Sequence, residues 1–145
     1  MGSPDGELSL VLVDDERIAQ LNQSYLHHRG PTNVISFAMR EGACSQINPH
    51  LLGDVVISMD TCAAEAEAGG LTMETRLDQL MIHGILHLFG YDHVRDKAKA
   101  RAMKAKSDAL LALIDAQTAV SPAGRTKAAQ SKARNKAGRP SAANR

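Results

Sequence analysis

The chain has 145 residues, 43% of them hydrophobic, and a formal net charge of +1, which indicates one domain with a packed core. No apolar run approaches the roughly 18–20 residues of a membrane span. The N-terminus does not resemble a secretory signal. Two cysteines (Cys44 and Cys62) are too few for a disulfide scaffold. Reduced thiols in the cytoplasm are therefore expected. The net charge conceals a basic C-terminal segment: residues 121–145 carry seven basic and no acidic residues, which leaves ten basic and sixteen acidic residues in 1–120.

Three short runs of apolar and β-branched residues predict strands. They lie at residues 8–13, 33–37 and 51–58. A helix over residues 16–26 follows the first strand, and Asp14 or Asp15 is its expected N-cap, because a carboxylate accepts the free N–H groups of the first turn. The second and third strands are joined by a predicted loop that contains glycine, serine, asparagine and proline.

Three further helices are predicted in the second half of the chain. The first covers residues 60–68, the second begins after Thr72 and ends near Gly90, and the third runs from residue 96 to about 116. In the second, a stripe expected to face the sheet is formed by Leu77, Leu80, Met81, Gly84 and Leu88. In the third, the residues expected to point inward are Met103, Leu110, Leu113 and Ile114.

This order of elements predicts an α+β fold in which helices pack on one small mixed sheet. The predicted domain covers residues 1–120. Residues 121–145 consist of Ala, Lys, Arg, Ser, Gly and Pro without apolar periodicity, and they predict a basic disordered tail.

Three of the six histidines, His83, His87 and His93, lie within eleven residues. His83 and His87 are four residues apart on a predicted helix, so their side chains leave the same face. Gly90 allows the chain to turn, and His93 can then return as a third ligand. Three histidines with an open fourth position are typical of a catalytic zinc site, which predicts one Zn²⁺ per chain. His27, His28 and His50 are expected to be solvated instead.

The spacing of these histidines is also that of metzincin proteases, HExxHxxGxxH. In those enzymes the glutamate after the first histidine is the general base, whereas Gly84 occupies that position here. The spacing therefore predicts metal-dependent hydrolysis, while the glycine in place of the catalytic glutamate argues against the metzincin reaction.

The segment from His83 to His93, HGILHLFGYDH, resembles the HGxLHLxGYDH signature of the YbeY family of bacterial endoribonucleases. Two further segments resemble family strands in the same order: PTNVISF at residues 31–37 and LLGDVVIS at residues 51–58. The resemblance covers about residues 8–115. It implies a cytoplasmic, zinc-dependent, single-strand-specific endoribonuclease that matures the 3′ end of small-subunit rRNA, acts in ribosome quality control, and meets the ribosome or its small-subunit factors as partners.

The resemblance also indicates further site residues. Asp92 is a candidate to orient a ligand imidazole or to act as an acid or base, although a turn-forming aspartate is an equal alternative. Ser36 and Asp54 lie on strands that correspond to the family's groove, where packing or capping roles are more common. The family usually has an arginine where this chain has Leu26, and Arg29 is a candidate substitute. Family members also begin with a strand and a helix that this chain is expected to lack, which would leave a sheet edge unpaired.

Two other functions stay open from the sequence alone. One is a metzincin-like zinc peptidase with a displaced base, and the other is a non-catalytic, zinc-containing ribosome-binding factor. Residues 1–94 contain only four basic side chains (Arg17, Arg29, Arg40 and Arg76), so the acidic body predicts little RNA affinity from bulk charge, and the basic tail is a candidate to supply it.

Overall fold

The computed structural model describes residues 5–39, 48–91 and 96–120. Its strands are β1 (Glu7–Val13), β2 (Val34–Ala38) and β3 (Leu51–Ser58). Its helices are α1 (Asp15–Leu26), α2 (Met59–Ala68), α3 (Met73–Leu88) and α4 (Lys97–Val120). The predicted α+β class is thus confirmed, while the predicted tail at residues 121–145 and Cys44 lie outside the described residues.

The chain divides into two compact units, Met1–Leu111 and Ala112–Arg145. The first unit contains the sheet, helices α1 to α3 and the beginning of α4. In the second unit, the described residues are the last turns of α4, where the Thr118 hydroxyl donates to the carbonyl of Ile114 at 2.8 Å.

The sheet is mixed, as predicted, because its central strand β3 runs parallel to β1 and antiparallel to β2. Val55 on β3 lies between Leu10 of β1 and Ser36 of β2, so these three side chains share one face of the sheet. Asp54 lies opposite Phe37 and therefore belongs to the other face. At Gly53, with φ at +141°, an added Cβ would lie 2.1 Å from the Phe37 carbonyl oxygen, which explains the glycine within this strand.

Each face of the sheet is covered by its own hydrophobic cluster. On the face of Val55, buried residues of β3 pack with Cys62 of α2 and with Leu80 and Leu88 of α3. On the other face, Ile18 of α1 packs with Ile35 and Val56. The predicted inward stripe of α3 is confirmed, since Leu80, Gly84 and Leu88 are buried while Leu77 and Met81 pack against the cluster.

The ends of the helices follow local hydrogen-bonding rules. Asp14 is the N-cap of α1, accepting from the backbone N–H of Arg17 at 2.8 Å, and Thr72 caps α3 in the same way. Asp15 instead accepts hydrogen bonds from the hydroxyls of Ser58 at 2.5 Å and Thr61 at 2.6 Å. These bonds stabilise the carboxylate and lower the pKa of Asp15 below its ordinary value. They also join the start of α1 to the start of α2.

Two helical details differ from the sequence prediction. Helix α4 continues to Val120 rather than ending near residue 116. Leu113, predicted to point inward, is 61% exposed, so that prediction was wrong. Apolar spacing alone cannot place a residue inward on a long helix, because whether a side chain is covered depends on what packs beside it. No helix among the described residues is both long and apolar enough to cross a membrane.

Strand β1 forms one edge of the described sheet, and its apolar side chains are poorly covered. Leu8, Leu10, Val11 and Leu12 are between 37% and 48% exposed. Strand β3 pairs with one side of β1, and the structure describes no strand on its other side.

Candidate metal centre and adjoining cavities

Helix α3 carries the two histidines and is attached closely to β2. The hydroxyl of Ser36 on β2 donates to the carbonyl oxygen of Gly84 on α3 at 2.8 Å. Because Gly84 follows His83 directly, this bond fixes the helix backbone at the site. The role of Ser36 in the described structure is thus to join the histidine helix to the sheet.

Gly84 lies where α3 packs tightly against the sheet. An added Cβ there would lie 2.5 Å from Cγ1 of Val55, and 3.2 Å from both Ser36 Oγ and Val34 Cγ2. Carbon atoms normally stay about 3.5–4.0 Å apart, so this packing leaves no room for a side chain. A glutamate at position 84, as in a metzincin, would have to displace the helix from the sheet.

His83 and His87 lie on the same face of α3, as the four-residue spacing predicts. Their Nε2 atoms are 3.1 Å apart, and their rings meet edge to face with centroids 4.6 Å apart. Both side chains are half-buried. When no metal is bound, a contact this short requires one imidazole to donate its N–H to the other.

The separation of the two Nε2 atoms suits a shared metal ion. Zinc bonds imidazole nitrogen at about 2.0–2.1 Å in tetrahedral geometry, which places two ligand nitrogens about 3.3 Å apart. The 3.1 Å observed lies close to that value. The donor chemistry and the spacing of this pair therefore fit a zinc ion.

The histidine pair opens into a cleft of about 340 Å³ beside β2, here called the histidine cleft. It is lined by Leu26, Asn33, Val34, Ile35, Ser36, Ala38, His83 and His87. Apart from the two imidazoles, the lining side chains are uncharged. Leu26 therefore lies in the cleft itself, at the position where the family resemblance leads one to expect an arginine.

His93, the predicted third ligand, and Asp92, the candidate acid or base, both lie outside the described residues. Within the ranges that the structure describes, no group of three His, Cys, Asp or Glu side chains comes together as a metal site. The described part of the centre is therefore the His83–His87 pair.

The other candidates lie elsewhere. Arg29 is exposed after the end of α1 and is not among the residues that line the histidine cleft. Asp54 lines a different cavity, on the α1 face of the sheet. The histidines expected to be solvated (His27, His28 and His50) are all exposed. Cys62 is fully buried, and burial raises the pKa of its thiol, in agreement with an unreactive core cysteine.

A second polar cavity of about 330 Å³, here called the lysine cavity, adjoins the first. It is lined by Asn33, Arg76, Gln79, Leu80, His83, Lys104, Ser107, Asp108 and Leu111. His83 and Asn33 line both spaces, so the lysine cavity borders one histidine of the candidate metal centre.

Sequence reasoning missed the lysine cavity. Arg76 was visible as one of four basic residues in 1–94, but nothing in the sequence placed it near His83. One signal was available: residues 97–106 contain five basic side chains and no acidic one, in contrast to the body that precedes them. The packing of α4 was needed to show which of these basic residues borders the site.

Taken together, the fold and the site define an α+β protein with a candidate metal centre, a helical histidine pair in a cleft beside a mixed sheet. A family model described as Endoribonuclease YbeY matches residues 2–115. The chain therefore belongs to the YbeY endoribonuclease family, as the histidine signature predicted.

Individual relatives agree with this assignment. The chain is 52% identical to the Endoribonuclease YbeY of Geobacter metallireducens over 116 residues, which cover 79% of this chain and 77% of that protein. It is 50% identical to the protein of the same name from Geobacter sulfurreducens, with the same coverage. The solution structure of TM1509 from Thermotoga maritima has a similar fold, with a TM-score of 0.57, 24% sequence identity, and coverage of 84% of this chain and 79% of that one.

Proposed function

We propose that this protein is a zinc-dependent endoribonuclease that cuts single-stranded RNA, with His83, His87 and His93 as the ligands of one Zn²⁺ per chain. The observation that carries the proposal is the 3.1 Å separation of the His83 and His87 Nε2 atoms in a cleft, in a chain that belongs to the YbeY family. The relatives cited above carry the name endoribonuclease.

The chain's own residues have distinct parts in this proposal. His83 and His87 present neutral Nε2 atoms to the ion, and Ser36 keeps their helix against β2 through the Gly84 carbonyl. Zinc, when bound, supplies Lewis-acid activation of water and of the phosphodiester. Asp92 accepts a proton or orients a ligand imidazole, and Arg29 approaches a phosphate from the turn after α1. The uncharged wall of the histidine cleft leaves room for a nucleotide beside the metal.

The biological setting forms the outer part of the proposal and follows from family membership. We infer that the RNA is rRNA, that the step is maturation of the 3′ end of small-subunit rRNA with a role in ribosome quality control, and that the protein acts in the cytoplasm. The basic tail at 121–145 adds a salt-dependent attraction to RNA. In this view, residues 1–120 form the hydrolase domain.

The peptidase alternative is weakened by a specific contact. The metzincin base would occupy position 84, where packing against Val55 leaves no room for a side chain. A peptidase would need a base from elsewhere, and among the residues that line the histidine cleft there is no carboxylate.

The test combines metal analysis with two cleavage assays on the full chain. We expect one zinc per chain, cleavage of a single-stranded RNA oligonucleotide, and no cleavage of a casein-type peptide. His87→Ala should lose both zinc and RNA cleavage. The matched control is His50→Ala, which replaces an exposed histidine outside the cleft and should retain both.

The other outcomes decide against the proposal. Peptide cleavage without RNA cleavage would identify a peptidase, and stoichiometric zinc with neither activity would favour a ribosome-binding factor. RNA cleavage by His87→Ala at the wild-type rate would mean that the activity comes from a contaminant.

A further inference from the structure

Basic side chains are concentrated at the start of α4. Residues 97–106 hold five basic side chains, whereas residues 1–94 hold four. The five are Lys97, Lys99, Arg101, Lys104 and Lys106. A nuclease must attract a polyanion, so the position of this stretch relative to the metal centre bears on how RNA enters.

Lys104 is the basic residue of this stretch that lines the lysine cavity. It shares one helical face with Ser107, Asp108 and Leu111, since the four are spaced i, i+3, i+4 and i+7, and all four line the cavity. Met103, the preceding residue, is only 4% exposed, so α4 is anchored to the body at this point. The face that carries Lys104 is therefore held toward the cavity that His83 also borders.

The ammonium group of Lys104 is available for an anion. Its side chain is 76% exposed, and it forms an ion pair with Asp108, Nζ to Oδ2 at 2.7 Å. An exposed pair of this kind contributes little free energy, because water screens both charges. A phosphate can therefore replace Asp108 as the partner of Lys104 at low cost.

Arg76, the other cation of the lysine cavity, has a different role. Its Nε and Nη2 donate to Glu65 Oε2 at 2.9 and 2.8 Å, and its Nη1 donates to Gln79. Glu65 also accepts from the side-chain amide of Asn33 at 3.2 Å. Three of the five N–H donors of Arg76 are thus engaged in holding α3 and Asn33 in place, and its charge is balanced by Glu65.

We propose that the lysine cavity binds a backbone phosphate of the RNA strand next to the bond that is cut, with Lys104 as its cation and Ser107 as a hydrogen-bonding group. The inference rests on the proposed ribonuclease function and specifies the path of the strand, from the histidine cleft past His83 toward α4. This path follows from the linings of the two cavities, which have His83 and Asn33 in common.

The test measures initial rates of zinc-loaded full-length protein on a single-stranded 12-nucleotide RNA. Lys104→Ala should raise KM by about threefold to tenfold and leave kcat within about twofold, because the residue binds the strand away from the reacting bond. The slope of log(kcat/KM) against log salt concentration should become less steep by about 0.7, the value for one phosphate contact on a single strand. Lys104→Arg keeps the positive charge, so its KM and its salt slope should match those of the wild type.

A variant of opposite sign separates binding from damage to the fold. Asp108→Asn removes the carboxylate that competes with the phosphate, so it should lower KM by about twofold to threefold, whereas disruption of α4 would raise it. The matched control is Lys99→Ala, which removes the same charge outside the lysine cavity and should change KM by less than about twofold.

A readout independent of cleavage is the affinity for a fluorescent single-stranded DNA 12-mer, with its integrity checked on a gel. Across the four variants, the dissociation constant for this DNA should rise where KM rises and fall where KM falls. Equal effects of Lys104→Ala and Lys99→Ala, or a rise in KM for Asp108→Asn, would overturn the lysine cavity as a subsite while leaving the ribonuclease function intact. Absence of RNA cleavage by the wild-type protein would instead refute the proposed function itself.

Discussion

Gly84 gives the sharpest stability prediction, because two effects of opposite sign meet at one position. Replacing a helical glycine with alanine ordinarily stabilises a protein by about 1 kcal/mol through helix propensity. At Gly84, however, the new methyl group would lie 2.5 Å from Cγ1 of Val55, more than 1 Å inside normal contact. The outcome depends on which effect is larger.

The structure indicates that the clash is larger. Val55 is fully buried on the central strand, so it cannot move aside without disturbing both neighbouring strands. Overpacking of this kind costs about 1–3 kcal/mol, and a rigid neighbour places Gly84→Ala in the upper half of that range. After the gain in propensity is subtracted, we expect a net loss of about 1–2 kcal/mol in the free energy of unfolding. For a domain of this size that loss lowers Tm by about 4–8 °C.

The assay is thermal unfolding followed by circular dichroism, on metal-free and on zinc-loaded protein. Gly69→Ala is the matched control: its added Cβ would meet its nearest atom, the Glu65 carbonyl oxygen, at 3.3 Å, and we expect a change in Tm of less than about 2 °C. In the double variant Gly84→Ala with Val55→Ala, the loss should be smaller than the sum of the single losses by about 1 kcal/mol, since the clashing methyl group is gone. An unchanged or higher Tm for Gly84→Ala would refute the packing argument.

Two other features of the fold give predictions. The hydroxyls of Ser58 and Thr61 lower the folded-state pKa of Asp15, so its carboxylate stabilises the fold above its ordinary pKa of 3.8, and this contribution is lost as the pH falls through the lowered folded value. Asp15→Asn should therefore flatten the decline of Tm below about pH 4. The control is Glu16→Gln on the exposed side of α1, which should leave that decline as it is in the wild type. Identical plots of Tm against pH for the wild type and Asp15→Asn would contradict this role of Asp15. Leu10 is 41% exposed on the edge strand β1. Leu10→Lys should therefore reduce the self-association that sedimentation velocity detects at high protein concentration. A wild-type protein that stays monomeric at that concentration would show that the β1 edge does not cause self-association.

Local sequence signals predicted most of the secondary structure. Asp14, Thr72 and Gly90 marked helix ends because capping is a short-range interaction between a side chain or a flexible backbone and the adjacent turn. The stripe on α3 was predictable for a similar reason, since one helical face repeats every three or four residues. Leu113 was predicted wrongly because apolar spacing shows only which residues share a face of α4. It does not show whether another element covers that face, and Leu113 is 61% exposed.

The sequence by itself determined the fold class, the family, and the pair of metal-binding candidates, because the spacing of His83 and His87 is converted into a shared face by helical geometry alone. The tertiary structure decided what surrounds that pair. It placed Leu26 in the histidine cleft, excluded a side chain at Gly84, and brought Lys104 from α4 to the cavity that His83 borders. These relations join residues separated by 20 to 60 positions, and only the packing of helices on the sheet fixes such distances.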